Sequence, residues 1–186
     1  TLLASSAASD VYKRQGPVSL KTHHPAIKRI DVESAGEMYQ AAMTAFPSSD
    51  AAILCAAVAD YRPENASEQK IKRETEGEMT LHLVPNPDIA ASLGAIKREG
   101  QVMVGFALET NDEATHAEGK LKRKNLDFIV LNSLRDQGAG FRCDTNKITI
   151  IDNAGGVTSY PLKTKREVAC DIVNKLVTFC LLYTSP

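Results

Sequence analysis

Five short stretches of this 186-residue sequence place ligand-binding side chains where a fold could use them. Asp60 ends the most apolar stretch, Ala51 to Ala59, and a break at Pro63 follows. A carboxylate there can hold Mg²⁺ or a ligand hydroxyl, although a turn or helix-cap aspartate reads the same way. Lys70-Ile71-Lys72-Arg73 lies in a polar loop. Its cations can close over a polyphosphate and exclude water, or can simply form a solvated charge run. Asn86-Pro87-Asp88-Ile89 opens a helix, whose unpaired N–H groups can bind a ligand oxygen; Asp88 also suits an ordinary cap. Phe106 follows Gly105 at the end of a second apolar run, where backbone can approach a flat ring; core packing is the plainer alternative. Lys120 and Lys124 are four apart and share a helix face. Their like charges repel unless an anion sits between them or solvent screens them.

These residues need elements to hold them. Ile30-Asp31-Val32 reads as a short strand. Ser34 caps a helix running to about Phe46, with Met38, Ala41, Ala42 and Ala45 on one face. The short apolar run Ala51 to Ala59, with turn-like flanks, predicts a central parallel strand buried on both faces. Met79 to Val84 alternates and predicts a strand with one wet face. A helix follows near Ile89 to Lys97. Val102 to Ala107 and Asp127 to Asn132 read as two further buried strands, separated by a helix over Asn111 to Lys124. Asp112 and Glu113 in that helix's first turn and Lys122 to Lys124 in its last suit the macrodipole. Lys147 to Asp152 and Val157 to Tyr160 flank Asn153-Ala154-Gly155-Gly156, a hairpin signal. Lys165 to about Phe179 closes the domain as a helix.

Strands alternating with helices and ending in a hairpin predict an α/β fold: a Rossmann-like, mostly parallel sheet with helices on both faces. Ligands in such folds sit beyond the carboxyl ends of the strands, which selects Asp60, Phe106 and Asn132 for inspection.

Composition fits this reading. Hydrophobic residues make up 43% and charged residues 24%, a globular balance. A net charge of -1 gives no global field for nucleic acid or an anionic membrane. No apolar run reaches the ~18 residues of a membrane span. Cys55, Cys143, Cys170 and Cys180 are scattered without a CxxC pair, as expected of buried, reduced thiols in a cytoplasmic protein. GxGxxG, GxxxxGK[ST] and GxSxG are absent, and His23, His24, His82 and His116 form no HExxH.

Taken in order, AAVADYRP at Ala56–Pro63, KIKR at Lys70–Arg73, NPDI at Asn86–Ile89, GFALET at Gly105–Thr110 and KLKRKNLD at Lys120–Asp127 resemble phosphopantothenate–cysteine ligase, also called phosphopantothenoylcysteine synthetase. The resemblance runs from about Gly16 to Val177. It implies a cytoplasmic coenzyme A pathway enzyme, unrelated to the ATP-grasp ligases, that joins 4'-phosphopantothenate to cysteine with CTP and Mg²⁺ through an acyl-cytidylate. It also implies a homodimer, with the late hairpin as one candidate contact, and no nucleic-acid or membrane partner. FMN enters only if a decarboxylase half is fused in a longer protein. Carried over by residue, the nucleotide site comprises Leu54, Cys55, Ala56, Asp60, Lys70, Pro87, Asp88, Ile89, Ala90, Phe106, Lys120 and Lys124. Lys70 is the catalytic loop lysine, Asp60 the Mg²⁺ candidate, and Ala56 and Ala57 lie closest to substrate.

Residues 1–15 and 180–186 lack the character of the rest and are expected to be a non-native leader and tail around a ligase domain over 16–179. No stretch matches the family's first strand, its Gly- and Ser-rich loop, or the asparagine that acts on the acyl-nucleotide. The domain is therefore expected to be truncated, and two alternatives stay open. One is a fragment that binds nucleotide without turnover; the other is a nicotinamide-dependent Rossmann-type oxidoreductase.

Overall fold

The computed structural model describes residues 11–17, 24–65, 67, 79–109, 113–133 and 144–184. In chain order the strands are β1 (Val11–Gln15), β2 (Ile27–Asp31), β3 (Ala51–Leu54), β4 (Tyr61–Pro63), β5 (Leu83–Pro85), β6 (Val102–Glu109), β7 (Phe128–Ser133), β8 (Thr145–Asn146), β9 (Ile148–Asp152), β10 (Val157–Ser159) and β11 (Lys163–Thr164). The helices are α1 (Ala35–Ala45), α2 (Ile89–Ile96), α3 (Glu113–Arg123) and α4 (Lys165–Thr184).

The main sheet has the order β10-β9-β7-β6-β3. β3, β6 and β7 run parallel, and the β9–β10 hairpin is added antiparallel beside β7. β1 and β2 form a separate parallel pair. Side-chain alternation divides the core in two. Met103, Ala107, Ile129 and Leu131 face one way and pack with Leu93 of α2 and Ala117 and Leu121 of α3, with Ala42 and Met43 of α1 against them. Val102, Val104, Phe128 and Val130 face the other way, toward Val168 and Ile172 of α4. The expected α/β architecture, with a parallel core and helices on both faces, is present.

Local signals explain the element ends. The Ser34 hydroxyl accepts the Glu37 N–H at 3.2 Å, and the Glu37 carboxylate accepts the Glu33 N–H at 2.7 Å. The Asp88 carboxylate accepts the Ala91 N–H at 3.0 Å and starts α2. Past α3, Asn125 adopts a left-handed φ of 51°, which lets the Leu126 N–H reach the Leu121 carbonyl at 3.0 Å. Two buried polar side chains fix the lower end of the sheet. Gln101 donates to the Phe46 and Ser49 carbonyls at 2.9 and 2.6 Å. Asp127, 1% exposed, accepts the Met103 N–H and the Lys97 ammonium, both at 2.6 Å.

Several expectations change in detail. The strand expected over Ala51 to Ala59 is four residues long, half-buried and, among the described residues, paired only with β6, so within them it lies at an edge of the sheet and not at its centre. Its apolar continuation, Cys55 to Ala59, is irregular, which leaves Cys55 exposed. Asp60-Tyr61-Arg62-Pro63, read as a break, contributes β4, which pairs antiparallel with β5. The strand expected from Met79 starts at Leu83. The two-residue β8–β11 ladder carries too little pattern to be read from sequence. Regular structure also enters both terminal segments that were set apart: β1 spans Val11–Gln15, and α4 continues to Thr184.

Candidate functional site

The carboxyl ends of β3 and β6 are uneven. β3 ends opposite Gly105, while β6 continues to Glu109 alongside β7. This leaves a shelf where chain leaving β3 turns away. Leu54 is half-buried at its inner edge, and Cys55, Ala56, Ala57 and Asp60 are exposed along the exit. Phe106, 36% exposed, is the first residue of β6 beyond the reach of β3. It points to the α4 side of the sheet, as do Val104 and Val130.

Asn86 joins this exit to the start of α2. Its N–H donates to the Asp60 carbonyl at 2.8 Å, and its Nδ2 donates to the Ala59 carbonyl at 2.8 Å. Arg62 adds a second tie, donating to the Pro85 carbonyl at 2.8 Å and Asn86 Oδ1 at 3.2 Å. Pro87 fits the turn because it needs no N–H of its own. Asn86 thereby holds the start of α2, with Pro87, Asp88, Ile89 and Ala90, to the chain that leaves β3.

Asp88 joins α2 to α3. One oxygen caps α2, and Oδ2 lies 3.0 Å from Lys124 Nζ. Burial pushes the Asp88 carboxyl up. The Ala91 N–H, the Lys124 hydrogen bond and the Lys124 and Arg123 charges outweigh this and hold it below the usual aspartate value. The Lys124 N–H still bonds the Lys120 carbonyl at 3.0 Å, so both lysines follow one helical row. Among the expected site residues, hydrogen bonds and an ion pair thus link β3's exit, the α2 start and Lys124; Phe106 faces the α4 side of the sheet, opposite α2 and α3, and is not tied to them. Lys70 lies outside the described residues.

Asn132 was singled out by its place at a strand end but given no role. It is the penultimate residue of β7, on the Phe106 side of the sheet, between Leu108 and Ile148 in register. Its Oδ1 is buried and has no hydrogen-bond partner among the described residues. An orphaned acceptor is costly unless a ligand or water satisfies it, so it belongs with the candidate site. The sequence signal was its strand-end position alone.

Two open hollows lie elsewhere. One, of about 280 Å³, is lined by Lys97 to Gln101 and Asn125 at the amino ends of the strands. The other, of about 380 Å³, lies by Gly16, Pro17, Arg29 and Asp31 to Glu33 at the ends of β1 and β2. Neither contains an expected site residue. No cluster of three or more His, Cys, Asp or Glu side chains suited to a metal occurs among the described residues. Among those residues, no helix is long and apolar enough to cross a membrane.

Known proteins share the sequence and the fold. The chain is 53% identical over 175 residues to a protein from an unknown prokaryotic organism named cysteine/cysteine sulfinic acid decarboxylase, covering 94% of this chain and 48% of that one. It is 43% identical to the coenzyme A biosynthesis bifunctional protein CoaBC of Vibrio parahaemolyticus, covering 94% of this chain and 44% of that one. It therefore spans under half the length of either relative. The crystal structure of the C-terminal domain of a CoaBC protein superposes with a TM-score of 0.74 at 34% identity, covering 91% of this chain and 75% of the other. Residues 3–179 match one family along nearly the whole chain: this protein belongs to the DNA/pantothenate metabolism flavoprotein C-terminal domain family.

Proposed function

We propose that this chain is the phosphopantothenate–cysteine ligase part of a coenzyme A biosynthesis protein and that it uses CTP. The observation that carries this reading is the tied set of junctions at the sheet's carboxyl edge: Asn86 on Ala59 and Asp60, and Asp88 on Lys124. These ties link the exposed Asp60 segment, the start of α2 and Lys124 near the edge where α/β folds bind ligands, and the family resemblance adds Phe106 and Lys120 to the set. Membership in the family and likeness to CoaBC proteins support the same reading.

In this mechanism the phosphopantothenate carboxylate attacks the α-phosphorus of CTP. A P–O bond breaks, pyrophosphate leaves, and an acyl-cytidylate forms. The cysteine amine then attacks the acyl carbon, its C–O bond to phosphate breaks, and CMP departs as the amine loses a proton. Phe106 supplies a flat apolar surface for the base. Asn132 Oδ1 accepts from a base amino group, a donor that would satisfy it. Lys120, Lys124 and the loop residue Lys70 stabilise charge building on the leaving pyrophosphate. Ala56 and Ala57 leave room for substrate beside the strand exit. Asp60 suits Mg²⁺, which takes one or two carboxylates together with substrate phosphates. When bound, the ion would neutralise phosphate charge. FMN belongs with a fused decarboxylase half, and no residue of this chain is assigned to it. The cytoplasm and a homodimer fit the same reading.

No residue of this sequence matches the family's Gly- and Ser-rich loop or its intermediate-processing asparagine. Positioned groups can supply several kcal/mol of transition-state stabilisation, roughly 7–11 at the upper end, while ground-state binding survives their loss. The chain by itself is therefore expected to bind CTP in preference to ATP without forming the amide. Calorimetric titration with CTP and ATP, alongside an assay for phosphopantothenoylcysteine, tests this. Equal affinity for the two nucleotides would sink the CTP assignment. Robust product would overturn the binding-only expectation for the isolated chain.

A further inference from the structure

The placement of Asp88 does not suit direct contact with a triphosphate. Its carboxylate is anionic, held below the usual aspartate range, and both oxygens are engaged: Oδ1 by the Ala91 N–H and Oδ2 by Lys124. What the contact does is visible from the path of Lys124. The Lys124 carbonyl lies against Gly94, where a Cβ would run into it, six residues into α2. Its ammonium nevertheless reaches Asp88 at the start of that helix. Six residues of α-helix rise roughly 9 Å, so the lysine stem must extend along α2 toward the sheet's carboxyl edge. The side chain is 23% exposed, consistent with a stem laid against protein.

We propose that Asp88 is a positioning residue: it holds the Lys124 ammonium beside the first turn of α2, so that the two form one preassembled seat for a nucleotide phosphate. This rests on the nucleotide-binding reading of the same edge. An ammonium has three donors, and the bond to Asp88 uses one, leaving two for a phosphate. A free lysine side chain loses rotamer entropy when it is fixed. Asp88 makes that expenditure during folding, so binding does not repeat it. Asp88 also lowers the local positive charge. If charge alone mattered, removing Asp88 would tighten phosphate binding; if positioning dominates, removing it weakens binding.

Asp88→Asn and Asp88→Ser separate these effects. Both keep a good helix cap for α2, and neither offers Lys124 an anionic oxygen. The probe is CTP, titrated by calorimetry into the full chain, with Lys124→Gln and the Asp88→Asn/Lys124→Gln double variant alongside. We expect each Asp88 variant to weaken CTP binding about three- to tenfold. In the double variant, the Asp88 change should add almost nothing to the Lys124→Gln loss. A purely structural role would lower the titratable fraction and the melting temperature but leave the Kd of the folded fraction unchanged. Unchanged or tighter binding in Asp88→Asn and Asp88→Ser, or losses that simply add in the double variant, overturns the proposal and leaves the nucleotide site standing. If Lys124→Gln itself binds CTP like the parent, both the site assignment and the positioning role fall.

Discussion

Gly94 illustrates how one residue can set the distance between two elements. A Cβ there would meet the Lys124 carbonyl and crowd Asn125, whose Nδ2 donates to the Gly94 carbonyl at 3.0 Å. The obstacle is backbone, which cannot swing aside as a side-chain tip can. Gly94→Ala should therefore cost about 1–3 kcal/mol by overpacking, read as a lower urea midpoint at unchanged slope. A neutral result would show that α2 can shift away freely. Residue identity was legible where chemistry and local geometry coincide. Ser34 and Asp88 are the caps their positions imply; Phe106, expected to end its strand, is exposed but lies within β6, which continues to Glu109 beside β7. The Asp88–Lys124 contact was not legible, because the two are 36 positions apart and only packing unites them. Nor did the sequence disclose the unpartnered Asn132 oxygen, since its burial depends on neighbouring strands.

Among the elements, the joint between β3 and α2 should govern ligand binding more than folding. Asn86 makes its bonds at an exposed junction outside the core, so Asn86→Ala should weaken CTP binding severalfold while costing only ~1 kcal/mol of stability. Paired calorimetry and thermal unfolding would decide. A large stability loss with intact affinity would place Asn86 in the fold alone. The β9–β10 turn makes a different prediction. Burial pushes Asp152 up, but the Gly156 N–H, Lys175 and the Ala154 N–H outweigh it and hold its carboxyl below the usual value. A depressed folded-state value gives stability that is present above the unfolded value and lost as pH falls through the folded one. Asp152→Asn should thus be less stable than the parent at about pH 7 and converge with it below about pH 3. Parallel urea curves across that range would contradict the assignment. The hairpin itself was readable from Asn153 to Gly156, with Gly155 at the left-handed φ of 87° that such a turn needs. β3 was misjudged because an apolar run reports burial, not the number of paired neighbours. Cys55 to Ala59 keep the composition of a strand and leave the sheet regardless.

At the scale of the molecule, alternation of strands and helices was enough to anticipate the α/β class, the parallel core and the placement of helices on both faces. How unequally those faces are covered required the structure: among the described residues, α1, α2 and α3 share one face, and α4 is the helix on the other. The asymmetry carries a consequence for biogenesis. All five strands of the main sheet precede α4 in the chain. As the polypeptide leaves the ribosome, Val102, Val104, Phe128, Val130, Ile148 and Ile150 can assemble before their cover has been made. That half of the core then waits, sticky and uncovered, for the arrival of Val168 and Ile172. Docking of α4 is accordingly expected late. Val168→Ala and Ile172→Val should accelerate unfolding while changing the folding rate little, a partition that stopped-flow measurements in urea resolve. An equal slowing of folding would place the helix in the nucleus. In the cell, the interval before it docks is when a nascent chain of this design would lean most on chaperones.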